Sequence, residues 1–343
     1  MLFIRADANK EIASGHVMRC LTIAKSIKKK GIQPVFITAD REAEQLIISH
    51  GFSVICLNSE WNNLDSETDK LCELIDRYHP EQILVDSYYV TEKYLQELKR
   101  HTQVIYIDDR NLKYCPADII INYNIYSSKL GYEEKYKGSN TLLLLGCDYI
   151  PLREEFCAVK YDIKDKITDV FLTTGGADKE NFSARLIKRF MNHNDFRRFH
   201  YHVISGKYNI YHKQLKSLEE KYQNLTVYHN INSMAEVMKK CDVAISAGGT
   251  TLYELCACGI PAICVLTADN QKDLVRAVSQ MGIMYYAGDV QKDMEVCYNN
   301  IEKYLKIYDS FDIRKEKSAA MQSLVDGKGA DRIASYILQK KGE

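Results

Sequence analysis

A chain of 343 residues is long for a single hydrophobic core, so its length predicts two domains. Hydrophobic residues make up 46% of the chain and charged residues 27%, which is ordinary for a soluble globular protein. The 46 basic and 46 acidic residues balance to a formal net charge of zero, which argues against a nucleic-acid partner bound through a broad basic field. A local site for a small phosphate ligand stays open.

The first half of the chain alternates short apolar runs with amphipathic stretches. This alternation predicts a parallel sheet covered on both faces by helices. The runs that predict strands are 2–5, 34–38, 53–56, 82–86, 103–107, 118–122 and 142–145. The stretches that predict helices are 15–30, 41–49, 66–78 and 91–100.

The same alternation restarts after a charged stretch at 157–166 that has no core period. We predict an N-terminal Rossmann-like domain over 1–156, a linker over 157–166 and a C-terminal Rossmann-like domain over 167–325. A last helix in 326–343 is expected to pack back toward the first domain. Predicted strands of the second half are 167–174, 200–205, 225–228, 242–246 and 261–266. Predicted helices are 179–192, 211–222, 231–240, 250–258, 270–281, 291–306, 310–324 and 329–340.

The cysteines and the apolar runs indicate in which cellular compartment the protein is expected. Eleven cysteines are scattered without any Cys-x-x-Cys pair, which is typical of small buried hydrophobes in a reducing compartment and not of disulfides or a zinc site. Arg5 and Asp7 interrupt the N-terminal apolar run too early for a signal peptide, and no uncharged run is long enough to span a membrane. We therefore expect a cytoplasmic protein that does not insert into a membrane.

The turn after the first predicted strand is the first candidate site. A polar loop leads to Ser14 and Gly15 and then to His16, where a helix face marked by Val17, Leu21, Ala24 and Ile27 begins. The N-terminus of a helix offers unpaired N–H groups and a positive dipole end, which suit phosphate. The same field disfavours an imidazolium, so we expect His16 to be neutral at pH 7 and able to accept a proton. A plain turn with an exposed histidine is the alternative.

Two glycine-rich loops follow strands of the second half. Gly248, Gly249, Thr250 and Thr251 stand where a strand ends and a helix begins, an arrangement that fits a diphosphate, and a carboxylate one turn on at Glu254 fits a ribose diol. The earlier loop carries Gly175-Gly176-x-Asp178-x-x-Asn181, in which the paired glycines permit close approach of a ligand to the backbone. Taken alone, Asp178 is better explained as a helix cap than as a ligand-binding residue.

Acidic residues also follow two strands of the first half, at Asp86-Ser87-Tyr88 and at Asp108-Asp109. Carboxylates there could hold sugar hydroxyls or orient a histidine, or could serve only as caps and turns. The sequence has no Asp-x-Asp, so a divalent metal on a diphosphate is not indicated. Charge on a leaving group would then be met by backbone N–H groups and helix dipoles.

Taken together, these motifs resemble the UDP-sugar hydrolases of pseudaminic acid biosynthesis and the related spore-coat polysaccharide proteins, which are relatives of MurG-type glycosyltransferases with the GT-B fold. The resemblance covers nearly the whole chain. The motifs that carry it are Arg5-x-Asp7, Ser14 to Cys20, Val85 to Tyr88, Asp108-Asp109, Asn122 to Asn124, Tyr149 to Phe156, Gly175 to Asn181, Gly248 to Glu254, Gly259-x-Pro261, Asn270-Gln271 and Asp326 to Ala330.

The resemblance implies an α/β protein of the GT-B fold, in which two Rossmann-like domains face each other across a cleft. It also implies hydrolysis of UDP-2,4-diacetamido-2,4,6-trideoxy-β-L-altropyranose to UDP and free sugar, with inversion at the anomeric carbon and without metal or other cofactor. His16 matches the catalytic base, Glu254 the ribose ligand, and Asn270 and Gln271 positions that face sugar or phosphate. Uracil would lie against the backbone near 230–234. Some members have His where Ser87 stands, so Ser87 receives no catalytic role.

The complete set of candidate substrate-binding residues comes from these loops and motifs. It consists of Ser14, Gly15, Arg19, Asp86, Tyr88, Gly175, Gly176, Asp178, Asn181, Gly248, Gly249, Thr250, Thr251, Glu254, Asn270 and Gln271. The expected partner is a small UDP-sugar, and the expected oligomeric state is a monomer. Alternatives on the same fold are a MurG-like glycosyltransferase, a UDP-GlcNAc 2-epimerase and a non-catalytic nucleotide-sugar sensor. The sugar itself would be selected by loops 6–14, 86–91, 108–114 and 122–132.

Overall fold

The computed structural model describes residues 1–157, 161–229, 231 and 233–339. It divides into two compact units, one formed by Met1–Arg153 with the segment from Lys328 onward, the other by Glu154–Gly327. Three of the residues in the predicted linker, 158–160, lie outside the described residues.

The first unit is built on a seven-stranded parallel sheet with the strand order β3-β2-β1-β4-β5-β6-β7. The central strands are almost wholly apolar and buried, as a sheet with helices on both faces requires. The strands are β1 (Leu2–Ala6), β2 (Val35–Thr38), β3 (Ser53–Cys56), β4 (Gln82–Asp86), β5 (Gln103–Ile107), β6 (Ile119–Asn122) and β7 (Leu142–Leu145). The helices of this part are α1 (Gly15–Lys29), α2 (Glu44–Ser49), α3 (Thr68–Tyr78), α4 (Glu92–His101) and α5 (Tyr132–Lys135).

The second unit repeats this plan with six parallel strands in the order β10-β9-β8-β11-β12-β13. Its strands are β8 (Asp169–Thr173), β9 (His200–Ser205), β10 (Leu225–His229), β11 (Val243–Ala247), β12 (Ala262–Leu266) and β13 (Tyr285–Asp289). Its helices are α6 (Phe182–Met191), α7 (His212–Lys221), α8 (Met234–Met238), α9 (Thr251–Cys258), α10 (Lys272–Gln280), α11 (Met294–Tyr308) and α12 (Phe311–Leu324). A last helix, α13 (Gly329–Leu338), belongs to the first unit and packs on α1.

Each sheet has a point at which the strand order reverses. In the first unit β1 lies between β2 and β4, and in the second β8 lies between β9 and β11. The connections leave neighbouring strands in opposite directions at such a point and open a crevice at the carboxyl ends, where doubly wound sheets bind ligands. The fold therefore directs attention to the loops after β1 and β4 in one unit and after β8 and β11 in the other.

The predicted fold class is confirmed, since both halves are parallel-sheet Rossmann-like units. The sequence reading missed two elements, the edge strand β13 and the single-turn helix α5. β13 contains Gly288 at φ +136° and a register shift against β12, and a glycine inside an aromatic run weakens the strand pattern. No helix within the described ranges is long and apolar enough to cross a membrane.

Candidate active site

His16 and Asp86 meet at the strand-order reversal of the first sheet. Ala6 and Asp86, the last residues of β1 and β4, are partners in the register of the two strands. The chain leaves β1 through a polar loop, in which the Asn9 side chain accepts hydrogen bonds from two backbone N–H groups, and enters α1 at Gly15. His16 thus lies in the first turn of α1, directly above the end of β4.

The His16 ring is held on two sides. Its Nδ1 lies 2.7 Å from Asp86 Oδ1, and Tyr88 packs edge-on against the ring with 4.6 Å between the ring centroids. A carboxylate only accepts hydrogen bonds, so Nδ1 carries the hydrogen and Nε2 keeps its lone pair. Within the described ranges Nε2 has no hydrogen-bond partner in the protein, which leaves it as the basic atom of the ring.

Arg19 joins this pair from the next turn of α1. Its guanidinium donates from Nε to Asp86 Oδ2 at 2.6 Å and from Nη2 to Asp86 Oδ1 at 2.5 Å. Its Nη1 donates to both carboxylate oxygens of Asp109, at 3.1 and 2.9 Å, and to the Tyr123 hydroxyl at 2.6 Å. The side chain is only 12% exposed. The sequence predicts that Arg19 binds substrate, but in the structure its guanidinium nitrogens are hydrogen-bonded to protein groups.

Asp86 and Arg19 keep their charges over the ordinary pH range. Burial alone would raise the pKa of Asp86, but Arg19 and His16 outweigh it and the pKa is lowered well below its usual value. Burial would likewise lower the pKa of Arg19, but the neighbouring Asp86 and Asp109 raise it. Partial burial, with Asp109 nearby, raises the pKa of Tyr88 to about 12, so this phenol keeps its proton at neutral pH.

Asp109 and Tyr123 belong to motifs noted in the sequence, Asp108-Asp109 and Asn122 to Asn124, but neither is in the set of candidate substrate-binding residues. Each comes shortly after a strand of the same sheet, Asp109 after β5 and Tyr123 directly after β6. That position is a usable signal, because the carboxyl ends of parallel strands share one edge. Their partner Arg19 lies 90 and 104 residues away in sequence, a pairing that the local pattern does not reveal.

A second buried ionic network lies at the same end of β1. Arg5 donates to both carboxylate oxygens of Glu67, from Nε at 2.6 Å and Nη2 at 2.9 Å, and to Asp7. Glu67 also accepts from the Tyr94 hydroxyl at 3.0 Å and from Ser59 at 2.6 Å. Asp7 accepts the backbone N–H of Ala39 after β2. Arg5 and Asp7 of the sequence motif therefore form part of the internal structure of this edge.

In the second unit, the loop after β8 is shaped by Asp178 and a positive-φ glycine. The two oxygens of Asp178 accept from the backbone N–H groups of Phe182 at 2.8 Å and Ser183 at 2.9 Å. Asp178 is 4% exposed and acts as a helix cap, the simpler of its two sequence interpretations. Asn181, in the left-handed region at φ 53°, donates to Gln214. Gly175 and Gly176 are exposed, and Gly175 has φ +82°.

The loop after β11 is tightly constrained at one glycine. A Cβ on Gly248 would collide with Val275 Cγ2 and lie 3.1 Å from Gln271 Cβ, whereas one on Gly249 would meet nothing within 4 Å. Thr250 is the residue before α9 and makes no side-chain cap, while the backbone N–H groups of Leu252 and Tyr253 donate to the carbonyl oxygens of Gly249 and Thr250. The positive dipole end of α9 at this loop favours an anion. Glu254 follows in the first turn of α9.

The turn formed by Asp269–Gln271 packs beside Gly248 and connects β12 with α10. Gln271 Oε1 accepts from the Thr267 backbone N–H at 3.1 Å and from its hydroxyl at 3.2 Å, so it is partly engaged within the loop. Asn270 is exposed. Of the segment 230–234 proposed for uracil, positions 230 and 232 lie outside the described residues, while Ser233 caps α8 and donates to Glu155.

The candidate residues thus fall into two groups, one in each unit. Ser14, Gly15, His16, Arg19, Asp86 and Tyr88 gather at the carboxyl edge of the first sheet. Gly175, Gly176, Asp178 and Asn181 follow β8, and Gly248 to Glu254 follow β11 with Asn270 and Gln271 beside them. Sequence reasoning located both edges, but it did not foresee which side chains are already engaged by the protein.

Comparison with known proteins was consistent with this arrangement. Residues 170–322 match the model of the glycosyltransferase family 28 C-terminal domain. The spore coat polysaccharide biosynthesis protein SpsG of Bacillus subtilis is 23% identical over 97% of this chain and 96% of its own length. A Campylobacter jejuni protein named UDP-2,4-diacetamido-2,4,6-trideoxy-beta-L-altropyranose hydrolase is 22% identical over 82% of this chain and 97% of its own.

Two further proteins are similar to this chain, one in sequence and one in structure. A Methanocaldococcus jannaschii protein, named only as uncharacterized, is 27% identical over 79% of this chain, which spans 56% of that relative's length. The crystal structure of MurG from Acinetobacter baumannii superposes with a TM-score of 0.70 over 98% of both chains at 12% identity. The chain therefore shares with the MurG structure a fold of two Rossmann-like units, the GT-B fold, and residues 170–322 resemble the family 28 C-terminal domain.

Proposed function

We propose that this protein hydrolyses a UDP-sugar to UDP and the free sugar, with inversion at the anomeric carbon. The observation that carries the proposal is the His16–Asp86 pair, because it supplies a histidine whose Nε2 is an oriented base. The hydrolase and spore-coat relatives, which cover most of the chain, support the same assignment.

In the proposed reaction Nε2 of His16 takes a proton from a water molecule. The water oxygen forms a bond to C1 of the sugar on the face opposite UDP, and the bond from C1 to the phosphate oxygen breaks, so that its electron pair leaves with UDP. Asp86 holds the Nδ1 hydrogen and stabilises the imidazolium as it forms. Because its pKa is lowered, Asp86 is ionised throughout and does not compete for that proton.

The nucleotide half of the substrate is assigned to the second unit. The positive dipole end of α9, which follows Gly248 and Gly249, suits the diphosphate, and Thr250 and Thr251 add hydroxyl donors. We assign the ribose to Glu254 and the uracil to the segment 230–234. Backbone groups of this kind stabilise leaving-group charge directly, so we propose that the reaction needs no metal.

The substrate proposed first is the UDP-diacetamido-trideoxy-altropyranose named for the Campylobacter relative, for use in pseudaminic acid or a related surface polysaccharide. The decisive experiment incubates the protein with a panel of UDP-sugars in EDTA and follows both products by NMR. Reaction in ¹⁸O water should place the label in the free sugar and none in UDP, and the first-formed anomer should be inverted. Label in UDP, or consumption only with an added metal, would contradict the proposal.

Transfer to an acceptor is the second candidate, and one observation favours it. Large apolar side chains are exposed on the loops beside the site in the first unit: Tyr88 at 47%, Tyr89 at 43%, Leu112 at 75% and Tyr114 at 40%. Such a surface suits an apolar or carbohydrate acceptor. An assay without acceptor distinguishes the two proposed functions, because a transferase releases free sugar slowly and a hydrolase releases it rapidly. A product altered only at C2 would instead indicate an epimerase.

A further inference from the structure

Arg19 and His16 share one carboxylate oxygen. Asp86 Oδ1 accepts from His16 Nδ1 at 2.7 Å and from Arg19 Nη2 at 2.5 Å, and this common acceptor brings the two nitrogens to 3.2 Å from each other. A nitrogen of Arg19 cannot accept a hydrogen bond, and Nδ1 is already donating to Asp86. The contact between the two nitrogens is therefore a repulsive one between donors, tolerated because Asp86 holds both.

The rest of the guanidinium is bound by Asp109 and Tyr123. Its Nη1 donates to Asp109 and to the hydroxyl of Tyr123, and the Arg19 carbon Cζ lies over the Tyr123 ring at 5.5 Å from its centroid. With Nε and Nη2 on Asp86, every nitrogen of Arg19 has a protein partner. A side chain bound in this way has little capacity left for a ligand.

We propose that Arg19 is a positioning residue that lowers the affinity of His16 for a proton, by holding part of the Asp86 charge that would otherwise stabilise an imidazolium. This inference rests on the proposed function, in which His16 must be neutral to act as the base. A His–Asp pair without such a partner holds its proton more strongly. Arg19 thus keeps the base in its working form at lower pH.

Other charged and titratable groups also face the pair. Cys20 from α1 contacts Asp86 Oδ2 at 3.5 Å, and burial raises the pKa of its thiol, so it stays neutral. Tyr88 packs on the His16 ring and Arg110 lies over Tyr88, 4.6 Å from the ring centroid. Asp109 contributes one negative charge, which Arg19 binds directly. The permanent positive charge in direct contact with Asp86 is therefore that of Arg19.

The test compares Arg19→Gln with Arg19→Lys, which differ in charge. For Arg19→Gln we expect the acidic limb of the kcat/KM profile to move up by about one pH unit, a loss of about tenfold at pH 6 that shrinks toward pH 9. Arg19→Lys should keep the acidic limb and lose kcat evenly across pH. An even loss in Arg19→Gln, or a rise in KM alone, would overturn the inference in favour of a purely structural or substrate-binding role.

A second measurement needs no substrate, so it separates this inference from the proposed function. The His16 ring is titrated by NMR in the free parent protein, in Arg19→Gln and in Asp109→Asn, which keeps Arg19 but loosens its outer anchor. The midpoint should rise in Arg19→Gln but should not rise in Asp109→Asn, which removes a negative charge and leaves Arg19 on Asp86. An unchanged midpoint in folded Arg19→Gln overturns the inference even if UDP-sugar hydrolysis is found. If Arg19→Gln does not fold, the midpoint in Arg19→Lys decides: it should match the parent value, and a large change overturns the inference.

Discussion

His16 and Asp86 are separated by 70 residues in sequence, yet Nδ1 of the one lies 2.7 Å from Oδ1 of the other. The contact exists because β1 and β4 are neighbours in the sheet, although β2 and β3 intervene in the chain. The order of the strands in the sheet thus brings a carboxylate and an imidazole together at its edge.

Replacing His16 with Gln removes the proposed base but keeps a polar side chain of similar reach. We expect kcat for UDP-sugar hydrolysis to fall by about 10²- to 10⁴-fold, the range for loss of a general base. UDP affinity, measured by calorimetry, should change little, because the diphosphate is assigned to the second unit. Near-normal turnover in this variant would remove His16 from the mechanism.

Asp86→Asn should lower stability in a way that depends on pH. The pKa of Asp86 is lowered in the folded protein, so its ionised form stabilises the fold above the ordinary value of about 4, and the benefit disappears as the pH falls toward the folded value. Breaking this buried pair should cost about 3 kcal/mol at pH 7. Urea unfolding at pH 7, 4 and 2 measures it, and a difference from the parent that does not shrink between pH 4 and pH 2 would refute the explanation.

Gly248→Ala tests the packing of the diphosphate loop. The added methyl group collides with Val275, whereas the same change at Gly249 meets open space. We expect Gly248→Ala to destabilise the protein by about 1–3 kcal/mol and to weaken UDP binding, since the loop must move. The double variant Gly248→Ala/Val275→Ala should recover UDP binding in part. Equal thermal stability of Gly248→Ala and Gly249→Ala would show that the contact with Val275 does not constrain the loop.

Glu67→Gln tests the buried network around Arg5. The two main partners of Arg5, Glu67 and Asp7, are both charged. The change leaves the Arg5 charge with Asp7 alone, and we expect a loss of about 3 kcal/mol in the free energy of unfolding. Tyr94→Phe is the matched control, because it removes one hydrogen bond to the same carboxylate and should cost about 1 kcal/mol. Similar losses in the two variants would mean that the ion pair contributes little.

Much of the fold could be predicted from sequence, because its determinants are local. The apolar runs that became β3, β4, β5, β7 and β9 coincide with the observed strands, and helix starts at Gly15 and Gly329 were read correctly. The glycines and the histidine after the strands also identified the two sheet edges. These features need only the sequence within one turn or strand.

The engagement of individual side chains could not be predicted in this way. Arg19 was assigned to substrate, but its partners Asp86, Asp109 and Tyr123 come from three other strand ends. The capping role of Asp178 was recognised as an alternative because its partners lie four and five residues away. A side chain's role can therefore be predicted from sequence when its partners lie a few residues away. Partners that are distant in sequence depend on the order of the strands, which local periodicity does not specify.

The packing of α13 on α1 has a consequence for synthesis. The helix that carries His16 is synthesised before the second unit, whereas α13, with the buried side chains Ile333, Ala334 and Ile337, is synthesised after it. The space beside Gly329 is so small that a Cβ there would collide with the Ile150 carbonyl oxygen, so this late segment docks closely. The second unit has its whole sequence available earlier. On the ribosome, the part of the protein that holds the proposed base is therefore completed after the part assigned to the nucleotide.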